Sequence, residues 1–278
     1  MKSACAFSPG NITCFFAIVP NKNPLKKGSL GVSFATNKGA TVTAKKSSKF
    51  KIIINGTKKN FPTVQTALKM LFNRNTKNEF VLIIKTDLPI GYGYGMSGAC
   101  TLASIYAVNE LFKLRRTKQE LGLIAHKAEV INNTGLGSVT AEYLGGLLIR
   151  NKKGHPLFAK KIDIKQNSMY YKSFGPIDTK KIITNDIMKQ KINKFGLESI
   201  HKIQKLKKIR LSDLISEAKS FSEKTGLIRN TKVKKLIDNI EKNGGYASMN
   251  MLGNSVFSNI QFKGCNKIKI STKGARLL

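Results

Sequence analysis

Apolar positions fall into two kinds of pattern along the chain. Over the first half, short apolar runs broken by Gly, Pro or Asn read as strands: "NITCFFAIV" (11–19), "GVSFAT" (31–36) and "ATVTAK" (40–45). "FKIIINGTKKNF" (50–61) sets Asn55-Gly56 between strand formers, the signature of a tight hairpin. Pro62 opens a helix to about Phe72, and the run Phe80 to Ile84 predicts the next strand. Beyond it Ala99, Leu102, Ala103, Tyr106, Ala107 and Leu111 recur at near-helical spacing as one apolar stripe. A further helix spans Lys118 to about Asn132, where "NNTGLGS" stops it, and "TAEYLGGLLIR" (140–150) reads mostly as strand.

The second half opens with the strand patterns "PLFAKKIDI" (156–164) and "SMYYKSF" (168–174). It continues through three or four basic helices and closes with "SVFSNIQF" (255–262) and "NKIKIST" (266–272). Strands and helices are segregated rather than alternating, which predicts an α+β fold and not a doubly wound sheet. A composition shift at "NKKGHP" (151–156) marks the expected boundary between a domain of residues 1–155 and one of residues 156–278. No internal repeat is present.

Between the strand at 80–84 and the helix after it, "DLPIGYGYGMSGACTLASIYAVNEL" (87–111) places Gly91, Gly93, Gly95 and Gly98 within eight residues. One glycine suffices for a turn; this spacing is that of a backbone cradle. The reading is strand, glycine loop, helix, with Ser97 at or near the N-cap, and such a helix start suits an anion. The lysine of a Walker loop is absent. Gly93, Gly95 and Gly98 formally match the dinucleotide fingerprint, but no second strand ending in an acid follows, so the context for that fold fails. The H-R-D and D-F-G triplets of protein kinases do not occur.

Composition narrows the class. Hydrophobic residues make up 41% of 278, enough for a substantial core, which excludes global disorder. The net charge of +34 raises nucleic acid as a partner. Lysine, spread along the chain, supplies most of it, whereas arginine is favoured for bidentate readout of phosphates and base edges. "KIQKLKKIR" (202–210) and "TKVKK" (231–235) sit on helices as solvated faces, so nucleic acid is not the expected partner. Cys5, Cys14, Cys100 and Cys265 form no C-x-x-C pair, which fits a reducing cytoplasm and neither a zinc site nor a disulfide framework. The longest apolar runs are too short to cross a membrane, and the N-terminus lacks a signal-peptide core.

"PIGYGYGMSGA" (89–99) resembles the P-x-x-x-G-x-G-S-S-A signature of the GHMP kinases, the superfamily of galacto-, homoserine, mevalonate and phosphomevalonate kinases. "FSPGNITCFF" (7–16) resembles its N-terminal Pro-Gly motif, and "GGYASMNMLGNSVFS" (244–258) stands where its C-terminal glycine-rich motif belongs. With "GSLG", "TGLG" and "GGLLIR" the combination is most like the archaeal pantoate kinases. The resemblance implies an N-terminal domain like a ribosomal-protein domain, a ferredoxin-like C-terminal domain, and ATP and substrate bound between them.

It implies roles as well. The backbone of Gly93, Gly95, Met96, Ser97, Gly98 and Ala99 wraps the ATP phosphates, and Ser97 and Glu129 hold Mg²⁺. Ser29, His126 and Arg150 form the pocket for pantoate, with Arg150 as the carboxylate clamp. The residues alone leave other readings open: Glu129 as a solvated helix charge, His126 as a core histidine, Arg150 as a strand-end surface residue. Two positions depart from the family, and one is Asn11, in a motif where a basic residue often stands. Where many members carry an aspartate as base for the substrate hydroxyl, this chain has Ser138, and Glu142 is the nearby carboxylate available as a substitute. The expectation is therefore phosphorylation of the primary hydroxyl of pantoate, in archaeal coenzyme A synthesis. Homoserine and mevalonate phosphorylation are the related alternatives and basic RNA binding the unrelated one; a homodimer is left open.

Overall fold

In the computed structural model, which describes residues 2–72, 79–154 and 156–278, the first half of the chain is built on two long strands. β1 (Ser3–Val19) and β2 (Gly28–Lys46) pair antiparallel along most of their length. The two patterns at 31–36 and 40–45 belong to the single strand β2. The polar residues between them are absorbed where the register steps from Pro9–Gly39 to Asn11–Ala35, as a bulge rather than a turn. β3 (Lys51–Ile54) and β4 (Thr57–Lys58) form the expected hairpin. Asn55 and Gly56 both take positive φ (47° and 83°), the geometry a two-residue turn between right-twisted strands requires.

α1 (Pro62–Leu71) follows, and β5 (Phe80–Thr86) then inserts between β2 and β3, antiparallel to the first and parallel to the second. α2 (Met96–Leu111) packs on β1 and β2, and α1 and α3 (Lys118–Asn132) pack on α2. α3 begins at a capping box in which Thr117 Oγ1 accepts from the Glu120 amide (3.2 Å) and Glu120 Oε2 accepts from the Thr117 amide (2.7 Å). It ends at Asn133 in the left-handed region.

α2 differs from its predicted single stripe. It is buried on nearly every side, including Thr101, Ile105 and Val108, which lie off that stripe. Two of its buried hydroxyls are satisfied within the helix: Thr101 Oγ1 donates to the Ser97 carbonyl (2.8 Å) and Ser104 Oγ to that of Cys100 (2.7 Å). The segment 140–150 also departs from expectation. Its first part lies in a helix, α4 (Ser138–Leu144), and only β6 (Leu147–Arg150) is strand. Two helical turns are too few for a period to show in sequence, and β-branched Val139 and Thr140 read as strand formers. Packing against α2, α3 and β1 decides the matter.

β7 (Lys160–Ile162) adds to β6 at the edge of the first sheet. β8 (Ser168–Pro176) leads into α5 (Thr179–Thr184), α6 (Asp186–Gln204), α7 (Leu211–Thr225) and α8 (Thr231–Lys242). β9 (Ala247–Met249), β10 (Gly253–Ser258) and β11 (Asn266–Lys269) complete a second antiparallel sheet in the order β11-β8-β10-β9. β12 (Arg276–Leu277) returns to pair with β1. The expected division at 155/156 falls on His155, outside the described residues, and both β7 and β12 join the sheet built by the first half.

α6 crosses β1 so closely at Gly196 that a Cβ there would overlap the Phe16 carbonyl. Phe15 and Phe16 meet Phe221 of α7 with ring centroids 6.5 and 5.8 Å apart, and one buried core runs through both halves. Among the described residues no helix is long and apolar enough to cross a membrane.

Candidate active site

The glycine-rich segment connects β5 to α2 and faces a cleft. β1 and β2 contribute to that cleft, as do the 134–138 turn, Arg150 at the end of β6, and Met251–Leu252 from the second half. Gly91, Gly93 and Gly95 take positive φ (86°, 87° and 62°), so the loop follows a path that L-residues rarely adopt. A Cβ on Gly93 would lie 2.9 Å from Gly253 N and Met251 O, and one on Gly253 would overlap the Tyr92 carbonyl. The C-terminal glycine segment thus lies backbone to backbone against the loop. Ser255 Oγ donates to the Tyr92 carbonyl (3.1 Å), and the Tyr94 hydroxyl meets Ser173 Oγ (2.8 Å), tying the loop to the second sheet.

Gly95 is the N-cap of α2, which places Ser97 at the second helical position rather than at the cap. The first intrahelical bond runs from the Ala99 amide to the Gly95 carbonyl (3.0 Å). The amides of Met96, Ser97 and Gly98 precede it with no acceptor among the described residues, at the positive end of the helix. The Ser97 hydroxyl turns to α3 and donates to Glu129 Oε1 (2.6 Å), which also accepts from Thr134 Oγ1 (2.8 Å). Glu129 lines the cleft at the mouth of this helix start.

Arg150 forms the other wall. Its guanidinium donates to Ser29 Oγ (2.9 Å), to Thr140 Oγ1 and, at the limit of hydrogen bonding, to the Gly137 carbonyl (3.4 Å). Thr140 Oγ1 in turn donates to the Pro156 carbonyl. Arg150 is 8% exposed, and no ion pair among the described residues includes it. A buried guanidinium held by neutral partners at a cleft wall is set up for an anion that comes from outside the chain.

Residues 62–146 match the GHMP kinases N terminal domain. Over 254 residues, 90% of this chain and 90% of the relative, the chain is 35% identical to the pantoate kinase of Methanocaldococcus jannaschii. The chain belongs to the pantoate kinase family of the GHMP kinases. It is also 30% identical to the pantoate kinase of Methanospirillum hungatei, over 91% of this chain and 86% of that one. A solved phosphotransferase related to the CoA biosynthesis pathway shares the fold, with a TM-score of 0.86 at 23% identity, covering 99% of this chain and 98% of that one.

Within this pantoate kinase family member, the expected site residues divide. Gly93, Gly95, Met96, Ser97, Glu129, Ser138, Ser29 and Arg150 all line the cleft. Gly98 and Ala99 lie behind the loop surface in the buried first turn of α2. His126 is not on the cleft wall: its Nε2 is 2.9 Å from the Lys27 carbonyl, and burial brings its pKa down to about 4. Ser138 Oγ is buried with no partner, facing Gly135 and the Glu129 carboxylate. Glu142 also lies off the wall. Its carboxylate abuts Gly95 and Gly98 and is not among the side chains that line the cleft.

Electrostatics follow from burial. Desolvation raises the Glu129 carboxyl to about 7, against the lowering pull of the Ser97 and Thr134 hydroxyls. Desolvation, and then the neighbouring Glu129, push Glu142 well above the usual carboxylate range. Desolvation lowers Arg150 to about 10, still charged at neutral pH. Sequence reading passed over Thr134 and Thr140, the hydroxyls that orient Glu129 and Arg150. Thr134 stands inside "TGLG", and nothing in that spacing marks it as the partner of a carboxylate five residues earlier.

Kinases of this family use ATP, and the donor set can be tested for a divalent cation. No three His, Cys, Asp or Glu residues gather into a metal cage among the described residues. One buried carboxylate and one hydroxyl oxygen face the cleft beside free amides. This suits Mg²⁺, which takes one or two protein oxygens and completes its shell with water and phosphate.

Proposed function

We propose that this protein transfers the γ-phosphoryl group of ATP to the primary hydroxyl of pantoate, giving 4-phosphopantoate. The observation that carries the reading is the buried Arg150 guanidinium, without a carboxylate partner, across the cleft from the glycine loop. A small hydroxy acid fits that arrangement: Arg150 and Ser29 take its carboxylate, and its hydroxyl is left toward the loop. The free amides of Met96, Ser97 and Gly98 bind phosphate oxygens at the positive helix end. Ser97 and Glu129 hold Mg²⁺, which supplies charge neutralisation of the phosphates. His126 fixes the Lys27 carbonyl and with it the strand entry that carries Ser29.

With Ser138 in place of an acid and Glu129 assigned to Mg²⁺, no further carboxylate on the cleft wall accepts the hydroxyl proton. A general base contributes about 10²–10⁴ in rate. Phosphoryl transfer depends chiefly on alignment and charge stabilisation, which the loop, Ser97 and Arg150 provide. The test is substrate-dependent ADP release with pantoate, homoserine and mevalonate as separate acceptors. Turnover with pantoate above the other two is expected; silence with pantoate and turnover with homoserine or mevalonate overturns the assignment.

A further inference from the structure

One apolar side chain of the cleft is left partly uncovered by the packing around it. Among the described residues, the other apolar side chains that line the cleft are 7% exposed or less, whereas Leu252 is only half-buried. Leu252 stands out by its backbone as well. Its φ is 65°, and it is the one apolar residue among the described non-glycine residues with positive φ; the others are Asn55, Asn133, Lys113 and Arg115. A leucine is disfavoured in that region and stays there only where its surroundings fix the chain.

The surroundings do fix it. The Gly253 amide donates to the Asn250 carbonyl (3.1 Å), which closes a turn with Leu252 at its third position. A positive φ at that position ordinarily calls for glycine or asparagine. The Asn250 amide donates to the Ser255 carbonyl (2.9 Å), holding the start of the turn to β10. On either side of Leu252, the Met251 carbonyl and the Gly253 amide lie against Gly93, each 2.9 Å from where a Cβ on Gly93 would stand. The turn is thus clamped to the phosphate loop, and Leu252 enters the cleft beside that loop. Glycine would take the same backbone without the penalty. What leucine adds is apolar surface in the cleft.

We propose that Leu252 selects the acceptor by its methyl groups. The inference rests on the pantoate reading above. Pantoate carries its geminal methyls on the carbon bonded directly to the one that bears the reacting hydroxyl. With the carboxylate on Arg150 and Ser29 and that hydroxyl toward the loop, the methyl-bearing carbon lies next to the loop, where Leu252 enters. The methyls cover the uncovered face of Leu252, and taking both apolar surfaces out of water favours pantoate over an acid that lacks them. The same contact holds the neighbouring hydroxyl in its place toward the phosphates.

The test compares pantoate with 2,4-dihydroxybutanoate, which lacks only the methyls, by substrate-dependent ADP release at saturating ATP. In the wild type, kcat/KM for pantoate should exceed that for the methyl-free acid by about tenfold or more. Leu252→Gly takes the left-handed backbone freely, and Leu252→Asn keeps much of the side-chain size in a residue that tolerates that backbone. Both variants should keep KM for ATP within about twofold and reduce the preference about tenfold, by losing kcat/KM for pantoate. Should one variant fail to fold, the other decides; if neither folds, the position is structural and the inference falls. Equal kcat/KM for the two acids in the wild type overturns it. So does a preference that survives in the variants, or an equal fall with both acids, the mark of a residue that only shapes the loop. In these outcomes pantoate is still phosphorylated by the wild type and the kinase reading stands. A wild type that does not phosphorylate pantoate removes that reading, and the inference with it.

Discussion

Replacing Glu129 by Gln tests the electrostatics of the cleft most directly. The carboxyl has a pKa of about 7 in the folded protein against an ordinary 4.5, because burial disfavours its charged form. A carboxylate raised in this way makes its full contribution to stability below 4.5, where both states are protonated, and loses it as pH climbs through 7. Over that interval of roughly 2.5 pH units the folded state gives up about 3 kcal/mol, at about 1.4 kcal/mol per unit. Gln stays neutral throughout and keeps an oxygen for the Ser97 and Thr134 hydroxyls. Wild type and Glu129→Gln should therefore be about equally stable at pH 4.5. At pH 8, without divalent cation, the variant should be more stable by about 3 kcal/mol, or roughly 6 °C or more in melting temperature. Loss of the Glu129 charge also relieves Glu142, which pushes in the same direction. Urea or thermal unfolding at the two pH values measures the difference, and added Mg²⁺ should narrow it by favouring the ionised wild type. A stability difference that is independent of pH, or a variant less stable at pH 8, refutes the reasoning.

Arg150→Lys keeps a charge but loses the fork that Ser29 and Thr140 hold. KM for pantoate should rise at least about tenfold with KM for ATP little changed, and an equal rise in both would remove Arg150 from the substrate wall. Ser138→Ala removes a buried hydroxyl that has no partner, so stability should hold or improve by about 1 kcal/mol. Its kcat should fall less than about tenfold; a loss of about 10² or more would make Ser138 part of proton transfer. Gly253→Ala places a Cβ onto the Tyr92 carbonyl, which must shift the loop. Equilibrium unfolding and nucleotide titration should show about 1–3 kcal/mol of destabilisation and weakened ATP binding; unchanged values in both would show that the loop does not rest on the C-terminal glycine segment.

Features set by neighbouring residues were legible before any coordinates. The Asn55-Gly56 hairpin, the helix from Lys118 and the glycine loop into α2 depend on interactions within a few residues, which composition and spacing carry directly. The kinase family could be read from the same local motifs, because a phosphate cradle is built from backbone and needs glycines at particular steps. Segment 138–144 could not be read that way, since a two-turn helix is decided by what packs around it.

The sequence by itself therefore determined the local geometry: an anion-ready helix start, the strands and helices around it, and Ser97, Glu129, Ser29 and Arg150 as candidates. Only the tertiary structure decided which of them meet. Ser97 reaches Glu129 across 32 positions and Arg150 reaches Ser29 across 121. It also turned His126 to the Lys27 carbonyl and Glu142 against Gly95 and Gly98, off the cleft wall. The physical reason is that side-chain direction across such separations is set by packing and by the need to satisfy buried polar groups, and neither has a period along the chain.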